Sequence, residues 1–190
     1  HGEADLADKL EQRAMFCKKS FVDTFLNDYG YLFDYVDGNM MDWSVRPNMI
    51  FAAALDYSPL SAEQRKGVLD ICTKELLTPK GLRTLSPKSG GYNPICAGPQ
   101  IQRDLSYHQG TAWPWLGSFY MEACLKIYRR TRLSFIERQM VGYEDEMQTN
   151  CLGTLPEMFD GNPPFYARGA ISFAMNVGET LRTLSLVEKY

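Results

Sequence analysis

Histidine is scarce in this chain, with only His1 and His108 among 190 residues. The five cysteines, Cys17, Cys72, Cys96, Cys124 and Cys151, form no CxxC pair. These shortages leave no ligand-spaced set for a closed metal site, so no metal is expected. The odd cysteine count leaves at least one thiol free, and disulfide frameworks belong to shorter secreted chains. A reducing, cytoplasmic setting is the expectation. Lys and Arg never run beyond pairs such as Lys18-Lys19 and Arg129-Arg130, and the net charge is −3 with an isoelectric point near 5.5. That balance offers nucleic acid no basic footprint. No apolar run approaches the ~20 residues of a membrane span, and no secretory leader is visible. The chain opens on His1 rather than Met, which reads as a trimmed or partial polypeptide.

What is abundant is material for a core. Hydrophobic residues make up 45% and aromatics 13% of the chain, too many for disorder and enough for one domain or a large part of one. Leu6, Leu10, Cys17, Phe21 and Phe25 share a helical face and predict a helix over 4–28. Pro47 suits the first turn of a second helix through Leu55. Ser61 and Gln64 have capping-box spacing and open a third helix that runs to about Leu77. Eight Gly and Pro residues between Pro79 and Pro99 argue against regular structure over 79–104. A fourth helix starts near 110–115 with Leu116, Tyr120, Ala123 and Ile127 on one stripe. A fifth spans Thr131 to about Met147, and a sixth carries Ala170, Ala174, Val177, Leu181 and Leu184. No strand of convincing alternation is found. The expectation is an all-α chain of six helices, with its unusual residues in two long loops.

Those loops hold the chemistry. In Cys151-Leu-Gly-Thr-Leu-Pro-Glu-Met-Phe-Asp-Gly161 a lone carboxylate, Glu157, follows a stiffening Pro156. Gly153 and Gly161 supply backbone freedom on either side. In Arg103-Asp-Leu-Ser-Tyr-His-Gln-Gly-Thr-Ala-Trp-Pro-Trp115 one histidine and two tryptophans gather. Aromatic planes, hydrogen-bonding groups and a carboxylate are what a sugar pocket requires. Each residue also has a plainer reading. Glu157 can be a solvated loop acid, His108 a helix cap, and Trp113 and Trp115 wall packing. Arg46 and Arg83 can be structural bridges to Asp104 or Asp160, and Asp160-Gly161 a turn.

Five stretches occur in order: Arg46-Pro-Asn48 leading into Ile50-Phe-Ala, Leu77-Thr-Pro-Lys-Gly-Leu-Arg-Thr-Leu85, Tyr107-His-Gln-Gly-Thr-Ala-Trp-Pro-Trp115, Cys151-Leu-Gly-Thr-Leu-Pro-Glu157 and Arg168-Gly-Ala-Ile171. Over roughly residues 30–188 the chain resembles the C-terminal part of glycogen debranching enzymes, the amylo-α-1,6-glucosidase region. That resemblance implies an (α/α)6 toroid of the six-hairpin glycosidase type, with residues 1–190 as the C-terminal half. It implies an inverting exo-hydrolase that removes α-1,6-linked glucose from glycogen or branched α-glucan oligosaccharides, with no cofactor. Inversion needs two carboxyl groups about 6.5–9.5 Å apart. The resemblance makes Glu157 the general base and places the general acid upstream. Asp42, in Met41-Asp-Trp43, only superficially resembles the acid's surroundings, because it falls after the acid's place in the family. Tyr107, His108, Gln109, Trp113, Arg83 and Asp104 are the candidate substrate-binding residues. Two alternatives remain: a helical carbohydrate-binding or scaffolding module without catalysis, and a related exo-α-glucosidase or trehalase-like hydrolase on the same toroid. A half barrel alone would expose apolar helix faces, so it should self-associate or meet its missing half.

Overall fold

The computed structural model describes residues 3–150 and 152–190. His1 and Cys151 lie outside the described residues. The other cysteines are free thiols, Cys17 exposed and Cys72, Cys96 and Cys124 buried.

Seven helices are described: α1 (Ala4–Phe25), α2 (Met49–Ala54), α3 (Ala62–Glu75), α4 (Gln100–Asp104), α5 (Pro114–Tyr128), α6 (Leu133–Thr149) and α7 (Ala174–Val187). Six of them match the six expected from periodicity. The capping box of α3 forms as the spacing predicts. The Gln64 amide donates to Ser61 Oγ at 3.2 Å, and the Ser61 amide donates to Gln64 Oε1 at 2.8 Å. Pro114 opens α5, where its missing N–H costs nothing.

The middle of the fold is α5. Leu116, Tyr120, Met121, Ala123, Cys124 and Leu125 are all buried on it, and it packs against α2, α3 and α7. Ile50, Val68, Leu69 and Cys72 complete this core from α2 and α3, with Leu76 just past the end of α3. The opposite case is α1, which has no buried residue.

The all-α expectation requires one correction. Short strands β3 (Leu77–Thr78), β4 (Gly81–Arg83), β5 (Ala112–Trp113), β6 (Met158–Phe159) and β7 (Ala167–Arg168) form an antiparallel five-stranded sheet in that order. A separate ribbon pairs β1 (Val36–Asp37) with β2 (Met40–Met41). Strands of two or three residues are too short to show alternation. The register sets Leu82 opposite Trp113, Ala112 opposite Phe159 and Met158 opposite Arg168. The stretch 79–104, expected to be irregular, thus contains β4 and α4. The sheet binds together the two loops that carry the chemistry.

Candidate active site

Glu157 sits one residue before β6. Leu155 and Met158 on either side are fully buried, which anchors the backbone on the core while the Glu157 side chain stays half-buried. The Glu157 amide donates to the Ala170 carbonyl at 2.9 Å, one residue out of the β6–β7 register that ends at Met158 and Arg168. On α7, buried Asn176 donates to the Pro156 and Glu157 carbonyls, and its oxygen accepts the Trp115 amide at 3.1 Å. One side chain therefore ties the Glu157 loop to the start of α5.

Both carboxylate oxygens of Glu157 are held. Oε1 accepts the Tyr107 hydroxyl, and Oε2 accepts the Ala170 amide at 2.8 Å. A carboxylate oxygen has two lone pairs, so each keeps one for a water molecule. Burial, then the bond to Glu157, pushes the Tyr107 phenol up to about 12, so it remains a donor across the neutral range. The cradle also requires Gly169. Its φ is +74°, and a Cβ there would meet Glu157 Cβ and Cδ at 2.9 Å. Gly161 is required for a different reason than loop freedom. It lies against the Gly110 carbonyl, and a Cβ would fall 2.9 Å from the Gly110 carbonyl carbon.

A cleft of about 480 Å³ opens in front of Glu157, lined also by Arg103, Asp104, Tyr107, Arg168 and Gly169. A smaller hollow of about 210 Å³ lies among Arg46, Asn48, His108, Trp113 and Trp115. Tyr107 joins the two, edge-on to His108 at 4.6 Å and to Trp113 at 5.1 Å. The His108 ring stacks on Trp113 at 5.6 Å. Partial burial, then the Arg46 guanidinium, hold the His108 imidazole below its usual range, against the opposing pull of Glu157. Trp113 belongs to β5 rather than to a helix, and its Nε1 donates to Thr111 Oγ1 at 3.0 Å. Trp115 packs instead on Phe51 and Phe119.

Of the residues singled out from the sequence, Glu157, Tyr107 and Asp104 share the cleft, and His108 and Trp113 share the adjoining hollow. Arg83 and Gln109 are engaged within the chain. Arg83 Nε donates to the Gly161 carbonyl at 2.8 Å, and Gln109 Oε1 accepts from Arg46 at 2.9 Å. Arg46 also donates to the His108 carbonyl at 2.8 Å and lies 3.7 Å from Asp34. Among the described residues neither arginine bridges to Asp104 or Asp160, and the Asp160 carboxylate is taken by Arg168 at 2.9 and 2.8 Å. Asp160-Gly161 is not the turn; the Asp160 amide continues the ladder to the Tyr166 carbonyl. Asp42 accepts the Ser44 amide in a local turn. Asn176 is not among the residues singled out from the sequence, and Asp160 is expected there to pair with a different arginine or to form a turn. Asn176 leaves no signal in the sequence: it shares the buried face of α7 with Thr180 and Thr183, whereas Leu181 and Leu184 of the apolar stripe face solvent.

The fold has a solved counterpart among sugar hydrolases. The neutral trehalase of Saccharomyces cerevisiae superposes on 92% of this chain with a TM-score of 0.65 and 15% identity, the match covering 30% of that protein. The amylo-alpha-1,6-glucosidase family profile matches residues 4–182, and the chain belongs to that family. The glycogen debranching enzyme of Saccharomyces cerevisiae is 31% identical over 90 residues, which cover 43% of this chain and 6% of that protein. The chain thus spans a small fraction of the curated relative's length. Among the described residues no helix is long and apolar enough to cross a membrane.

Proposed function

We propose that the chain is the base-bearing half of an (α/α)6 glycosidase ring that releases α-1,6-linked glucose from branched α-glucans. The observation that supports this best is Glu157: a single carboxylate at a cleft of sugar-sized volume, oriented by two donors, with lone pairs to spare. In this reading Glu157 takes a proton from water as that water attacks the anomeric carbon from the face opposite the leaving oxygen. Tyr107 and the Ala170 amide keep the carboxylate from rotating away. A segment outside this chain protonates the departing oxygen. Asp104 and Tyr107 offer hydrogen-bonding groups to sugar hydroxyls in the cleft. His108, neutral at physiological pH, and Trp113 form the adjoining wall.

The test is glucose release from a malto-oligosaccharide carrying one α-1,6 glucose stub, with the full-length polypeptide beside its Glu157→Gln variant. General-base assistance is worth on the order of 10²–10⁴-fold, so the variant should lose at least 100-fold in kcat. A loss under about 10-fold removes Glu157 from the mechanism. Trehalose serves as the counter-substrate, because the likeness to a trehalase carries the fold alone. Sugar binding without any hydrolysis would favour a carbohydrate-binding module.

A further inference from the structure

We infer that Asp160 is a positioning residue for Glu157, fixing the strand pair that carries Glu157 against the 94–97 loop that also lines the cleft. This rests on the reading of Glu157 as general base. Asp160 is only 4% exposed, a place where an ionised carboxylate must be paired. Arg168 supplies the pair as a two-pronged fork, Nε to Oδ1 at 2.9 Å and Nη2 to Oδ2 at 2.8 Å. Bidentate pairs of this kind fix geometry as well as adding energy.

The connections of the pair converge on the catalytic carboxylate. Arg168 lies opposite Met158 in the β6–β7 register, and Met158 is the residue after Glu157. Arg168 also precedes Gly169 and Ala170, whose amide holds Glu157 Oε2. Pinning Arg168 to Asp160 therefore pins both backbones of the cradle. On its other side, Asp160 Oδ1 accepts the Cys96 amide at 3.3 Å, and the neighbouring Gly161 amide donates to the Pro94 carbonyl at 2.8 Å. Cys96 and Ala97 line the same cleft as Glu157. The Asp160 carboxylate thus joins two separate segments that both line the cleft, one through Arg168 and one through Cys96. A displacement of about 1 Å at a reacting group can cost 10²-fold in rate.

The test uses Asp160→Asn in the full-length polypeptide, assayed on the stub oligosaccharide well below the melting temperature. Asparagine keeps the shape and an acceptor but loses the charge and one arm of the fork. The expected result is a 10- to 100-fold fall in kcat with KM changed less than about 3-fold. Arg168→Lys keeps the charge without the fork and should behave the same way. The double variant should be no worse than either single one, as expected of groups acting as a unit. A lowered melting temperature with unchanged kcat would make the pair merely structural and overturn the inference. If Asp160→Asn does not fold, Arg168→Lys decides the question alone. If wild type hydrolyses nothing, the reading of Glu157 fails separately. The clamp is then read by amide exchange at Cys96 and Ala170, which should speed up in Asp160→Asn; unchanged exchange overturns it.

Discussion

His108 shows how one position can carry a testable electrostatic signature. Its ring is stacked on Trp113, and the segment that holds it is fastened by Arg46. Partial burial and that guanidinium both disfavour the imidazolium, so the folded-state value lies below the ordinary 6.5. The unfolded chain then binds more protons than the folded one between the depressed value and 6.5. Stability contributed by neutral His108 is complete above about 6.5 and is lost as pH falls through that window. Proton NMR can follow this directly, since the only other histidine is His1. The resonance that vanishes in His108→Gln should titrate below 6.5. A midpoint above 6.5 would show that Glu157 dominates the ring's surroundings. His108 was conspicuous by rarity and Glu157 by its place in a Pro- and Gly-framed loop, while the roles of Glu157 and Tyr107 came from the family resemblance. Residue identity did not reveal Gly169, whose necessity comes from a side chain twelve residues away in sequence.

Among the elements, the helices were readable and the sheet was not, for a physical reason. The helices α3, α5 and α7 each run through fourteen or fifteen residues, long enough to show several turns of apolar periodicity, although Leu181 and Leu184 on the apolar stripe of α7 face solvent rather than the core. The sheet is built from two- and three-residue strands whose partners are distant: Leu82 pairs with Trp113, and Ala112 with Phe159. Nothing local encodes such pairings. Asn176 belongs at this scale, because it joins an element to a loop. Its side chain satisfies the Pro156 and Glu157 carbonyls and the Trp115 amide inside the core. Replacing it by Leu leaves those groups buried and unpaired, at a cost of roughly 1–3 kcal/mol. The expected outcome for Asn176→Leu is a melting temperature lower by several degrees together with reduced kcat, since the Glu157 backbone loses its tether. Denaturant melts beside the stub assay check both. A variant as stable as wild type would mean that water replaces the side chain.

Taken whole, the molecule has a finished centre and two unfinished sides. Helix α5 is surrounded, whereas the first and last helices show apolar side chains to solvent: Leu10, Met15 and Phe16 on α1, Leu181 and Leu184 on α7. A cleft of about 870 Å³ runs between α1 and α2, walled by Phe21, Phe25, Leu32, Met49 and Phe51. Exposed patches of this kind mark surfaces made to be covered. Helices with free apolar faces at both ends of the chain are what a ring opened between neighbours would leave, in keeping with the proposed half barrel. At the residue level the apolar spacing on α1 was plain, but its spacing cannot say whether the face meets this chain or another polypeptide. The 190 residues expressed alone should therefore associate. Light scattering should give a mass above the 21.7 kDa of a monomer. Replacing Leu10, Met15 and Phe16 by Ser or Gln should reduce that mass, because each removes apolar area worth roughly 25 cal/mol per Å² when covered. The same substitutions in the full-length polypeptide should instead lower its melting temperature, since there the face is occupied. A monomer that melts cooperatively, unaffected by these changes, would mean that the chain is a finished domain and that the half-barrel proposal is wrong.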